Sequence, residues 1–108
     1  MATEKLIDSH AHLDLERFGA EQAQVIQRAF DQGLTHLVHV GVGHPFEPVV
    51  QEALSLANAH PGIFAALGIH PHDAAKATQR EWELLRASAA HEKVVALGET
   101  GLDYHYEF

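Results

Sequence analysis

Cysteine is absent from this chain, which excludes a disulfide scaffold, a zinc–thiolate finger and a thiol nucleophile. Basic residues are scarce. Seven Lys and Arg face fifteen Asp and Glu, a formal net charge of −8, which argues against broad electrostatic capture of nucleic acid or anionic lipid. A phosphate-bearing substrate held through metal ions stays open, because bound cations dominate the local field. No apolar run approaches the roughly 20 residues that span a bilayer. Met1 reads as a true start, and the Ala-Thr-Glu-Lys that follows it, ahead of Leu6-Ile7, is no signal peptide, so the expectation is a soluble cytoplasmic protein. There is also no P-loop, no G-x-G-x-x-G and no G-x-S-x-G elbow; Gly41-Val42-Gly43 is only part of a phosphate-loop pattern.

The 108 residues, 46% hydrophobic and 20% charged, suit one globular domain or a piece of one. Short apolar runs alternate with amphipathic stretches. Leu6-Ile7-Asp8 reads as a strand. A helix follows from about Ala20 to Gln32, with Ala23, Ile26, Ala29 and Phe30 at helical spacing and Gly33 as its stop. Leu37 to Val42 is a second strand, Phe46 to Ala59 a second helix ended by His60-Pro61-Gly62, and Ile63 to Ile69 a buried third strand. Thr78 and Glu81 match a capping box opening a helix that carries Trp82, Leu85 and Ala89, and Val94 to Gly98 is the fourth strand. The order β-α-β-α-β-α-β predicts an α/β fold with four parallel strands alternating with three helices.

Ten histidines outnumber the lysines and arginines, and their placement is not scattered. Parallel α/β folds set ligands at the carboxyl ends of their strands. There the four strands deliver Asp8-Ser9-His10-Ala11-His12-Leu13-Asp14, Gly41-Val42-Gly43-His44-Pro45, Gly68-Ile69-His70-Pro71-His72-Asp73 and Gly98-Glu99-Thr100-Gly101-Leu102-Asp103. His10 and His12, two apart in extended backbone, project to one side and are read as metal ligands; as an isolated pair they could equally be exposed rings. Imidazole with carboxylate suits Zn, Mn or Fe. Glu99 follows a strand that reads as buried, where a carboxylate needs a metal, a cation or hydrogen bonds, and is read as a third ligand. His70 is read as a site residue, while His72 could be left in water by the rigid His-Pro-His turn. His44, His60 and His91 read as solvated, and His36 and His39 as structural. Asp103 either positions its loop or touches the site, and Asp14 could cap the helix after it.

Together the D-S-H-A-H-L-D, G-I-H-P-H and G-E-T-G-L-D-Y stretches, ending at Tyr104, resemble the signatures of TatD-family metal-dependent deoxyribonucleases, which are amidohydrolase-like (β/α)8 barrels. The resemblance implies a hydrolase that cleaves DNA phosphodiester bonds, exonucleolytically on single-stranded ends, using two divalent ions (Mg, Mn or Zn). It implies that His10 and His12 hold one metal, that Glu99 bridges two, and that His70 lies near the scissile phosphate. Such a barrel takes about 250 residues, so residues 1–108 correspond to its N-terminal half, with the missing part C-terminal. The family's two further histidines and its proton-handling aspartate fall on later strands, and the chain stops at Tyr104-His105-Tyr106-Glu107-Phe108 in an active-site loop. Two alternatives stand beside a nuclease half. One is an inactive half-barrel that binds metal or associates through its open sheet edges. The other is a related phosphoesterase, or an amide or lactone hydrolase, sharing His10 and His12.

Overall fold

The computed structural model describes residues 4–105; the start at Met1 and the last loop positions, 106–108, lie outside it. Strands β1 (Leu6–Ala11), β2 (Leu34–Gly41), β3 (Ile63–Leu67) and β4 (Val94–Leu97) form one parallel sheet in the order β1-β2-β3-β4. Helices α2 (Gln22–Asp31), α3 (Phe46–Ala59) and α4 (Gln79–Ser88) fill the three crossovers. A single turn, α1 (Leu15–Phe18), and a 3-10 turn (Gly19–Glu21) precede α2; they are too short to register as a helical period. The predicted limits of α3 match those observed. β1, expected to end at Asp8, runs to Ala11 because Ala11 still pairs with His39 on β2. β3 stops at Leu67, two residues before the expected Ile69.

All three helices cover the same face of the sheet. Leu37 and Ile63 meet Ile26 of α2 and Leu56 and Ala57 of α3. Ala65 and Leu67 meet Phe46, Val50 and Ala53 of α3, with Leu84 and Leu85 of α4 at the margin. A doubly wound sheet would carry helices on both faces. Sequential strand order with helices on one face is the arrangement of half a (β/α)8 barrel. No helix among the described residues is long and apolar enough to cross a membrane.

The opposite face is open. Val38, Val40, Ala66, Val95 and Ala96 line a cavity of about 290 Å³ there. β4 was expected to be buried, yet Val95 is 55% and Leu97 59% exposed. The physical reason is that β4 is an edge strand: Val95 lines the open inner face, and no helix follows β4 among the described residues to cover Leu97 on the other. Ile7 on the other edge strand is likewise 66% exposed.

Helix starts in this fold are tied by side chains from other helices. Thr78 Oγ1 accepts the Glu81 N–H at 3.1 Å, and Glu81 Oε1 accepts the Thr78 N–H at 3.0 Å, completing the predicted capping box. The other oxygen of Glu81 accepts the Phe46 N–H at 2.9 Å, at the first turn of α3. One carboxylate therefore satisfies orphan donors on two helices. Asp14, which could have capped this helix, occupies the N-cap of α1 but makes no capping bond. Its carboxylate takes Arg17 Nε at 3.2 Å, and Glu52 of α3 accepts the Leu15 N–H at 2.7 Å instead.

The Phe46 and Thr78 amides hold the Glu81 carboxyl below its ordinary value of 4.5. Between the lowered and the ordinary value the unfolded chain binds the proton and the folded one does not. The stabilisation is therefore full above 4.5 and fades as pH falls through the lowered value. Thr78→Ala is expected to cost about 1 kcal/mol. Glu81→Ala should cost more, because two helix ends lose their acceptor, and its penalty should shrink in acid. Urea unfolding of both variants, followed by circular dichroism at neutral and acidic pH, checks the order and the trend.

Candidate metal centre

The end of β1 and the loop after β4 bring His10, His12 and Glu99 together, with donor atoms all within 4.8 Å of one another. His10 Nε2 lies 3.5 Å from Glu99 Oε2, and the two imidazoles meet edge-on at 5.1 Å between centroids. Donors sharing a tetrahedral ion at about 2.1 Å stand about 3.4 Å apart, so a side-chain adjustment of about 1 Å closes these three onto one ion. The donor set, two imidazoles and a carboxylate, fits a divalent transition metal. Glu99 is only partly buried, with 35% of its side chain exposed. Burial alone therefore does not force it to find a partner; proximity to His10 and His70 is the stronger argument.

Gly68 makes this approach possible. A Cβ built on it would stand 2.5 Å from the Glu99 carbonyl oxygen and 2.6 Å from the Gly98 carbonyl carbon. The backbone that carries Glu99 passes through the space a side chain would fill at the end of β3. A glycine at this position lets strands three and four converge.

His70, on the loop after β3, points Nε2 towards Glu99 Oε1 at 3.9 Å and is one-quarter exposed. Its Nδ1 accepts the His72 N–H at 3.0 Å. In the neutral ring the proton is thereby fixed on Nε2, so His70 offers the site a hydrogen-bond donor and no free lone pair. That suits contact with an anionic oxygen better than metal ligation. His72 Nε2 stands 2.7 Å from Asp103 Oδ2, tying the loop after β3 to the loop after β4. Of the two roles left open for Asp103, the positioning one is visible: its other oxygen accepts the His105 N–H at 2.8 Å.

A cleft of about 580 Å³ opens at this end of the sheet, with His12, His39, His44, His70, His72 and Glu99 among its walls. His39 is structural, as expected. It is 2% exposed, and its Nδ1 accepts the Leu13 N–H at 3.1 Å, fixing the segment that follows His12. That role had no sequence signal, since 26 residues separate the partners. His36 is exposed, with its ring 5.9 Å from that of Phe64. His44 is exposed as expected, its Nδ1 3.7 Å from Glu81. His60 and His91 are partly exposed; the His60 carbonyl accepts Lys93 Nζ at 3.2 Å, and His91 Nδ1 accepts the Lys93 N–H at 3.0 Å. A turn before β4 needs both acceptors.

The family model described as TatD related DNase matches residues 7–108. The chain belongs to this family. An uncharacterized metal-dependent hydrolase, YabD of Bacillus subtilis (strain 168), is 38% identical over 102 residues, covering 94% of this chain and 39% of that protein. The 3'-5' ssDNA/RNA exonuclease TatD of Enterobacter lignolyticus (strain SCF1) is 33% identical over 104 residues, covering 95% and 38%. Its namesake from Pantoea sp. (strain At-9b) is 36% identical over 104 residues, covering 95% and 39%. The chain thus spans under two-fifths of the length of these relatives.

Burial holds the His39 imidazole below its ordinary value of 6.5, only partly opposed by the Glu52 and Asp14 carboxylates. Below 6.5 the unfolded chain takes up a proton that the folded chain refuses, so stability falls as pH drops through that value; above it the term vanishes. The urea midpoint should therefore decline from about pH 7.5 to about pH 5.5. His39→Gln, which keeps an acceptor for Leu13 but cannot titrate, should flatten the decline. An unchanged slope would remove His39 as its source.

Proposed function

We propose that the chain supplies one half of the barrel, and one half of the active site, of a metal-dependent hydrolase that cleaves DNA phosphodiester bonds, acting on single-stranded ends. The observation that carries this is the convergence of His10, His12 and Glu99 from the two edge strands of the sheet. The names of the relatives, a metal-dependent hydrolase and 3'-5' ssDNA/RNA exonucleases, support the substrate class.

In this reading His10 and His12 hold a divalent ion (Mg, Mn or Zn) together with Glu99. The two oxygens of Glu99 face different partners, His10 and His70, and the family resemblance would give this carboxylate the place between two ions. When bound, the metal supplies Lewis-acid stabilisation of phosphate charge and a lowered pKa for water. His70 donates its Nε2–H to a phosphate oxygen, and the His72–Asp103 contact holds the loop that presents it. The proton-handling aspartate is assigned to strands beyond these four.

Exposed Leu6, Ile7, Val95 and Leu97 along the edge strands favour a second reading, in which the half-barrel binds metal and associates through those edges without catalysis. Metal titration tests the site that both share. His10→Ala, His12→Ala and Glu99→Ala should each weaken Mn or Zn affinity by more than the roughly 10–100-fold typical of outer-shell changes. His70→Ala, which removes only a 3.9 Å neighbour of Glu99, should weaken it less than any of these three. Unchanged affinity in the first three withdraws the site. The nuclease reading is tested by activity: the 108 residues alone should not hydrolyse DNA, and the same residues joined to the remaining strands of a family barrel should do so in a chelator-sensitive way. DNA hydrolysis by the 108-residue chain would contradict the half-site.

A further inference from the structure

His39 lies on β2, an inner strand of the sheet, away from its open edges. Along β2, Val38 and Val40 line the inner face, while Leu37 packs against α2 and α3 on the outer one. Alternation puts His39 with Leu37, on the helix-covered side. Its Nδ1 accepts the Leu13 N–H, so the neutral ring carries its proton on Nε2. No described residue accepts that proton. A sealed donor without a partner is costly, and no buried polar side-chain atom among the described residues is left in that state. Nε2 therefore opens on the cleft whose wall His39 forms, although the residue is only 2% exposed.

The groups around this donor are acceptors. Asp14 and Glu52 line the same cleft. Glu52 spends Oε1 on the Leu15 amide and Gln22, and Asp14 spends Oδ1 on Arg17, so each keeps a second oxygen able to accept. Both stand close enough to His39 to oppose part of the effect of burial on its imidazole, Glu52 more than Asp14. A neutral N–H beside carboxylates suits neither kind of ion: an anion would face Asp14 and Glu52, and a cation would face the N–H. A hydroxyl group fits, since it accepts from Nε2–H and donates its own proton to a carboxylate. His12 lines the cleft too and directly precedes Leu13, so this corner adjoins the metal centre.

We propose that His39 Nε2–H and the second oxygen of Glu52 form a subsite for a sugar hydroxyl, on the nucleotide whose phosphate is held at the metal centre. The inference rests on the nucleic-acid reading above. It gives the cleft a means of recognising a strand end, where the 3'-hydroxyl is free. Within a strand the same oxygen is esterified and has no proton to give Glu52.

The test titrates the chain, with Mg2+ present, with thymidine 5'-monophosphate and with its 3'-deoxy analogue. Proton–nitrogen spectra of the imidazoles are followed, with His39 identified by the loss of its signals in His39→Gln. The first nucleotide is expected to shift the His39 Nε2–H saturably and to bind about fivefold more tightly than the second, the worth of one hydrogen bond. Glu52→Gln keeps an oxygen for the Leu15 amide but turns the second acceptor into a donor, and should bring the two affinities within about twofold. Equal affinities in the unaltered chain, shifts at other histidines with His39 unmoved, or undiminished discrimination in Glu52→Gln overturn the subsite and leave the nucleic-acid reading standing. No shift at any histidine with either nucleotide overturns both.

Discussion

Everything at the candidate site depends on the approach of the β1 end to the loop after β4. His10 belongs to β1 and Glu99 to the loop after β4, at opposite edges of the sheet, where three inter-strand steps separate backbones by about 14 Å. Their side chains reach across from the two edges and meet at 3.5 Å. Large side chains on the helix-facing side, Leu37, Ile63 and Leu67 against Ile26, Leu56 and Phe46, spread that face. On the inner side Ala66 and Ala96 pair across β3 and β4, and Gly68 admits the Gly98–Glu99 backbone to near contact. The close approach at Gly68 thus helps to bring together a donor set from residues 89 positions apart in sequence.

The loops that carry the site are held by polar contacts that cross between elements. Glu52 of α3 receives the Leu15 amide just past His12, and Gln22 donates to the Leu13 carbonyl at 2.6 Å. Leu13 itself is buried and gives its amide to His39. Both backbone groups of Leu13 are therefore satisfied by side chains, and the chain after His12 has a defined exit path. Glu81 plays the corresponding part at the start of α3, and the His72–Asp103 pair joins the two loops nearest Glu99. Few of these residues are candidates for chemistry, yet each orients one that is.

Local pattern was a good guide where one face of a helix meets the core. α3 carries an uninterrupted apolar stripe and a Pro-Gly stop, and its limits were readable; so was the Thr78–Glu81 box, because its partners lie three residues apart. The extension of β1 through His10 was not, since polar Ser9 and His10 hide a strand that the ladder to β2 maintains. The exposure of β4 was hidden for the opposite reason: Val94-Val95-Ala96-Leu97 is apolar on both sides, but only one side is covered among the described residues. Contacts between residues far apart, such as Glu81 with Phe46 or His39 with Leu13, leave no mark in a local window. The H-x-H, G-I-H-P-H and G-E-T-G-L-D stretches could be placed at strand ends because strand direction in a parallel sheet determines which loops share an end.

In the proposed function bound cations, with His70 beside them, offset the acidic balance of the chain where it meets phosphate. The central claim is therefore that one ion sits among His10, His12 and Glu99. An anomalous-scattering map from crystals of the chain grown with Mn or Zn tests it most directly. The account predicts an ion bonded to two imidazole nitrogens and one carboxylate oxygen of those residues. An ion held instead at the other histidine–carboxylate pairs, His44 with Glu81 or His72 with Asp103, with none at His10, His12 and Glu99, would contradict it.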